Sequence, residues 1–221
     1  MSWQIVGDPT DINGESAYNQ SGSSVSLSAD GSVIAIGAKY NNGNGDNSGH
    51  VRIYKNINNI WTQVGTDIDG EARSSQSSYS VSLSSDGSVV AISAPYNDGN
   101  GINSGHVRIY KNVNNSWTQI GSDIDGEAPY DRSGESVSLS SDGSVVAIGA
   151  MGNDGNGKAS GHVRIYKNLD NIWTQVGTDI DGEDKGDHSG SSVSLSADGS
   201  IVAIGAYWSE SRGAGSGLVT I

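Results

Sequence analysis

The residues best suited to chemistry in this chain are carboxylates in a short phrase that recurs. Asp67-Ile68-Asp69-Gly70-Glu71 returns at Asp123 to Glu127 and at Asp179 to Glu183, and in variant form as Asp11-Ile12-Asn13-Gly14-Glu15. Alternating carboxylates beside a glycine turn are what a hard cation such as calcium recruits. The candidate metal ligands are therefore Asp67, Asp69 and Glu71, then Asp123, Asp125 and Glu127, then Asp179, Asp181 and Glu183. The competing expectation is structural. Calcium takes about 6–8 oxygens and one phrase offers three carboxylates, so the isoleucine would seal a seam while the acids stay solvated. The chain has no cysteine, which excludes thiol and Cys-zinc chemistry.

His50, His106 and His162 open copies of the phrase H-V-R-I-Y-K-N, 56 residues apart. Their type suggests a metal triad, yet each begins the same strand of a different unit. Strands are spaced by about 4.8 Å, so third strands of neighbouring units lie too far apart for shared zinc bonds of about 2.0–2.1 Å. Each histidine is expected to satisfy loop backbone groups, and Arg52, Arg108 and Arg164 to act as struts between units. Tyr40, Tyr96 and Trp208 lie beside Asn/Asp/Gly loops and, with Arg212, are candidate ligand-binding residues that could stack on a sugar. Rings that cover a sheet edge are the alternative. Ser-His-Asp arrangements, P-loops and dinucleotide fingerprints are absent from the sequence. Catalytic groups take different roles and would break the repeat, so the chain is expected not to be an enzyme; a hydrolase using loop carboxylates is the outlying alternative.

These groups need a frame, and the repeat supplies it. Val25, Val81, Val137 and Val193 stand 56 residues apart in near-identical surroundings, a period that signals an array or a propeller. Each unit reads as four strands. In the first copy these are A (24–28), alternating Val and Leu with Ser, B (33–38), nearly all apolar, C (50–55) and D (60–65). Asp30-Gly31 and Asn58-Asn59 are tight-turn signals. The reading is all-β: one propeller domain over 1–221, with four blades of four antiparallel strands. Its repeats are approximately 8–65, 66–121, 122–177, and 178–221 plus 1–7. A lone strand D at residues 3–7 and a D-less strand C at 218–221 predict a ring closed by the N-terminal strand completing the last blade. A monomer is expected; the rival is a strand-exchanged dimer pooling eight blades.

The net charge of −13 argues against nucleic acid as a partner. Apolar runs reach about six residues, too short for membrane insertion, and the N-terminus has no signal-peptide features. The D–A and B–C connections share one face of a blade. They hold 20 of the 25 acids and six bases, a balance of −14. Such a face attracts cations or a basic partner.

Read across its whole length, the chain resembles the FG-GAP repeat of integrin α-subunit propellers, in the bacterial and viral variety with S-V-S-L-S-x-D-G-S and A-I-G-A. Departures are clear. Ser21, Ser77, Ser133 and Ser189 replace the phenylalanine; the glycine remains at Gly22, Gly134 and Gly190 but is Ser78 in the second copy; the proline survives as Pro95. The resemblance implies a propeller, usually of seven blades, and a cell-surface, extracellular or virion setting. Its calcium loop, D-x-D-x-D-G between strands A and B, is absent here. The expected role is a binding or structural module presenting its acidic loop face to a protein or surface partner. Alternatives are a lectin binding glycans, and a recently amplified or designed scaffold with no ligand.

Overall fold

The computed structural model describes residues 5–8 and 11–221. Their eighteen strands form four antiparallel sheets. The first blade comprises β1 (Ser24–Leu27), β2 (Val33–Ala38), β3 (His50–Ile57), β4 (Ile60–Gln63) and β5 (Ile68–Asp69). The second repeats it as β6 (Val81–Leu83), β7 (Val89–Ala94), β8 (His106–Val113), β9 (Ser116–Gln119) and β10 (Ile124–Asp125). The third has β11 (Ser136–Leu139), β12 (Val145–Ala150), β13 (His162–Leu169), β14 (Ile172–Gln175) and β15 (Ile180–Asp181). The fourth has β16 (Ser189–Leu195), β17 (Val202–Ala206) and β18 (Leu218–Thr220). No helix among the described residues is long and apolar enough to cross a membrane.

The third strand is longer than its apolar pattern suggests. β3 runs into Asn58 and Asn59, whose φ values of 53° and 68° give the left-handed pair that suits a two-residue hairpin. Its outer edge is divided. Tyr54 to Ile57 pair with β4, while His50 and Val51 pair with Asp69 and Ile68 of β5. The carboxylate phrase thus folds as a strand fragment on the blade edge. The A–B turn is wider than a two-residue hairpin: Gly31 N–H donates to Ser28 O, and Asp30 Oδ1 accepts from Ser28 Oγ at 2.7 Å and Ser32 N–H at 2.9 Å.

One face of each blade packs on the opposite face of the next. Val33, Ala35, Val51, Ile53 and Ile68 meet Val81, Leu83, Val90, Ile92 and Tyr110, and the same set recurs one blade on. The isoleucine of the carboxylate phrase does enter this seam. Strand A serines link the blades near the axis, where small side chains let strands approach. Ser26, Ser82 and Ser138 Oγ accept the N–H of Leu83, Leu139 and Leu195 at 2.9, 3.0 and 3.0 Å. At the rim, Trp117 and Trp173 Nε1–H donate to Val64 O and Ile120 O at 2.9 Å.

The fourth sheet has three strands among the described residues. Of the segment expected to complete it, Trp3 and Gln4 lie outside the described residues, and residues 6–8 lie on the first blade. There Trp61 Nε1–H donates to Val6 O at 3.1 Å and Asp8 N–H to Asn59 O at 2.7 Å. The first and fourth blades do not cover one another: Val25 and Leu27 are 60% and 57% exposed, whereas the equivalent Val81 and Leu83 are 8% and 7% exposed.

Candidate metal centres on the acidic loop face

Two glycines hold each carboxylate phrase against the strand that carries the histidine. Gly49 has φ +77°, and a Cβ there would overlap Ser77 O of the next connection; a Cβ on Gly70 would overlap Ser48 O. Glycine alone permits this approach. As a result Asp69 pairs with His50 across the sheet edge, and Asp67, two residues earlier, reaches the imidazole. A glutamate from the preceding copy of the phrase arrives from the other side.

The outcome is three equivalent groups: Glu15, His50 and Asp67; Glu71, His106 and Asp123; Glu127, His162 and Asp179, each with its ligand atoms within 4.8 Å of one another. His50 Nδ1 stands 3.3 Å from Asp67 Oδ2 and 3.8 Å from Glu15 Oε2. The corresponding distances are 3.5 and 4.0 Å in both other groups. Two ligands bound at about 2.1 Å to one tetrahedral ion lie roughly 3.4 Å apart, so these separations suit a shared cation after small closure.

Each carboxylate is held by its other oxygen. Gln63, Gln119 and Gln175 Nε2–H donate to Asp67, Asp123 and Asp179 Oδ1 at 2.6 Å. Arg108 Nη1 pairs with Glu71 Oε1 at 3.1 Å and Arg164 with Glu127 at 3.4 Å; Arg52 to Glu15 is longer, 3.8 Å. The same arginines donate through Nη2 to Asn13 O, Asp69 O and Asp125 O at 2.8, 3.1 and 2.7 Å. They are struts between connections, and they bring three positive charges to the acidic face. Its balance becomes −11 when they are counted with the acids they meet.

Burial, the largest cause, pushes the imidazoles of His50, His106 and His162 below the ordinary histidine pKa, against the pull of the neighbouring aspartates. They are neutral at pH 7, the form that ligates metals. Both ring nitrogens of His162 are buried without a hydrogen-bond partner among the described residues. The imidazole side chains are 1–3% exposed, the aspartates 26–28% and the glutamates 44–46%. An ion would therefore rest on a buried nitrogen and face solvent through two carboxylates. In the fourth blade Leu218 stands at the histidine position and lines one cleft with Glu183, so the group is not repeated there.

The structure separates acids that the sequence places together. Asp67 and Glu71 of one phrase serve different groups, as do Asp123 and Glu127, while Asp69, Asp125, Asp181 and Glu183 belong to none of the three. The three histidines fall in three separate groups, and their expected backbone-satisfying role is corrected: Nδ1 faces two carboxylates. Glu15 and the histidines were not among the expected ligands. Their signal was the common 56-residue period; which Glu meets which His depends on blade order.

The aromatic candidates lie in two clusters. Tyr96 meets Tyr79 edge-on at 5.9 Å, Arg132 lies 5.2 Å over Tyr96, and Lys39 lies 5.3 and 5.0 Å over Tyr40 and Tyr79. Trp208 meets Tyr207 at 6.1 Å, and Tyr207 stacks on His188 at 5.6 Å. Arg212 is exposed, its N–H donating to Ser216 Oγ at 3.2 Å. Beside the first cluster, the Glu135 carboxylate faces the Tyr79 hydroxyl; burial is the leading cause raising the pKa of both groups. Lys39, Tyr79, Arg132, Glu135 and His188 were not among the candidate ligand-binding residues, although positions 23, 79, 135 and 191 read Ser, Tyr, Glu and Ser in an otherwise regular repeat.

Residues 123–166 match the family model of the FG-GAP repeat. That stretch of the chain is of FG-GAP type. No curated protein matches the chain. Among solved structures, the periplasmic gluconolactonase of Pseudomonas aeruginosa matches with 17% identity and a TM-score of 0.54, over 90% of this chain and 56% of that one. The hydrazine synthase of Kuenenia stuttgartiensis matches with 15% identity and a TM-score of 0.51, over 88% of this chain and 45% of that one. The chain thus spans about half the length of these structures, and at such identities the likeness shows the propeller fold alone. Both are enzymes by name, so this fold hosts catalysts. The expectation that the chain is not an enzyme is corrected on that ground: repetition of blades does not argue against catalysis.

Proposed function

We propose that this FG-GAP propeller binds divalent metal ions at the three Glu-His-Asp groups and uses them to hold a partner on its acidic loop face. The observation that carries the reading is the threefold convergence of a buried neutral imidazole and two half-exposed carboxylate oxygens. Imidazole nitrogen suits zinc and other transition ions, whereas calcium prefers oxygen throughout. The set therefore favours zinc or manganese over the calcium expected from the carboxylates. Three protein ligands leave room for water or an oxygen of a bound molecule, and exposure of the acids puts that position at the surface. A protein carboxylate or a sugar hydroxyl could enter it. Isothermal titration with Zn²⁺, Mn²⁺ and Ca²⁺ tests the reading. About three Zn²⁺ or Mn²⁺ per chain is expected; absence of binding by all three ions would overturn it.

A second reading, glycan binding near Tyr96, rests on the Tyr79–Tyr96 pair and the Lys39 and Arg132 cations over it. Aromatic faces offer a platform on which sugar rings stack. A glycan array in the presence of chelator separates the readings. Binding that survives chelation and is lost in Tyr96→Ala supports the aromatic site; binding lost on chelation supports the metal groups.

A further inference from the structure

We infer that the cavity beside Gly152, on the loop face of the third blade, binds a small aromatic carboxylate. At this position of the B–C connection the other copies carry a ring, Tyr40, Tyr96 and Trp208; the third copy carries Gly152. The second copy shows what such a ring meets. Arg132 lies 5.2 Å over Tyr96, and one blade on the equivalent pair is His188 and Gly152. Gly152 and His188 both line a cavity of about 430 Å³, within the range of about 300–1,000 Å³ usual for small-ligand sites. The ring is missing for a packing reason. Gly152 N–H donates to Asp131 O at 3.1 Å, and Tyr130 O comes so near that a Cβ on Gly152 would overlap it. The third blade thus holds open a space of the kind that the second fills with Tyr96.

The side chains around this space select the charge. Arg132, Lys158 and His188 line the cavity against one acid, Asp154. Arg132 and Lys158 therefore leave one formal positive charge in excess, on a face that is otherwise acidic. Asp154 Oδ1 is already engaged, accepting Ala159 N–H at 2.8 Å. Among the described residues the ion pairs made by arginine use Arg52, Arg73, Arg108 and Arg164; Arg132 and Lys158 enter none. His188 is fixed in place. Its Nδ1–H donates to Met151 O at 3.2 Å and its ring stacks on Tyr207 at 5.6 Å, so Nε2 is the nitrogen left to meet a ligand. A guanidinium offers a carboxylate two parallel N–H donors, and a ring seated between Gly152 and His188 would carry its carboxylate towards Arg132. These groups belong to the third cavity alone. The equivalents of Arg132 are Gln20, Gln76 and His188, and those of Lys158 are Asp46, Ile102 and Ala214. A site for one asymmetric ligand needs groups that break the repeat in this way. The cavity shares no residue with the three metal groups.

Titration calorimetry with 4-hydroxybenzoate, run in chelator so that the metal groups stay empty, tests the site. The probe is a tyrosine ring bearing a single carboxylate. One molecule per chain is expected, bound about tenfold or more tighter than 4-hydroxybenzamide, its neutral counterpart, because the charge-assisted hydrogen bond to Arg132 is lost in the amide. Arg132→Gln should weaken the acid by about 10–100-fold for the same reason, and Lys158→Ala should weaken it less, as an exposed point charge. Both substitutions use side chains that the repeat already holds at positions 76 and 214. Arg73→Gln, which removes an exposed cation of the same face paired with Asp46, should leave the affinity unchanged. Absence of 4-hydroxybenzoate binding, equal affinity for the amide, or an affinity unmoved by Arg132→Gln would overturn the site. Binding of D-glucuronate in place of 4-hydroxybenzoate would overturn the aromatic assignment. Should Arg132→Gln misfold by circular dichroism, Lys158→Ala at its exposed position carries the same test.

Discussion

Removing one histidine should remove one ion and leave the other two in place. In His106→Ala the central group loses its buried ligand, while Glu71 keeps Arg108 and Asp123 keeps Gln119. The three groups share no residue, so their contributions should add nearly independently. With free ion at about 100 times Kd, each group contributes about 2.7 kcal/mol to the native state. In a chain of this size about 1 kcal/mol moves Tm by roughly 2–4 °C. Saturation of one centre is then worth ~5–11 °C, and His106→Ala should show about two-thirds of the wild-type rise between chelator and saturating zinc. Titration calorimetry should count about two ions in place of three. The comparison is of differences within each protein, so the cost of the emptied histidine pocket cancels. An unchanged ion count, or a zinc-induced rise equal to that of wild type, would refute the assignment of Nδ1 as a ligand.

Gln119→Ala leaves all three ligands in place but frees Asp123 Oδ1, and should weaken ion binding at that centre by about 10–100-fold in a titration. Trp117→Phe keeps an aromatic side chain but loses the indole N–H, leaving Val64 O without its 2.9 Å donor; a loss of about 1–3 kcal/mol is expected from urea unfolding. Gly143→Ala combines φ +70° with a Cβ 2.8 Å from Val89, whereas Gly31→Ala meets the same backbone strain with open space. Of the two, Gly143→Ala should cost about 1–3 kcal/mol more by denaturant midpoint, the usual penalty of overpacking. In the A–B turns, hydrogen bonds from Ser32 and Ser28 lower Asp30 to about 2, and those from Ser196 and Ser200 lower Asp198 to about 2. Their stabilisation is complete above the unfolded carboxylate value, about pH 4, and is lost as pH falls through about 2. Urea midpoints measured across that window should fall less steeply in Asp30→Asn.

Much of the frame was written in the chain itself. The 56-residue period, the alternation of Val25 and Leu27 with serines, and the apolar run of β2 determine strand, face and blade, because a half-buried strand needs period two and a covered strand needs apolar residues on both sides. The asparagine pair at 58 and 59 specified its turn through its tolerance of positive φ. The sequence also told that no thiol chemistry is present and where negative charge accumulates. What it could not settle was proximity between copies. Glu15, His50 and Asp67 are separated by 35 and 17 residues, and each occurs in several equivalent copies; only the antiparallel return of β5 onto β3, and the approach allowed by Gly49 and Gly70, chooses which three meet. Tyr79, Tyr96 and Arg132 likewise come from separate connections and share a cluster through blade packing. The angle between successive blades was open as well: strand patterns fix which face of a blade is apolar, but that angle comes from how Val33 and Ile53 seat on Leu83 and Ile92, a property of packing that no single strand encodes.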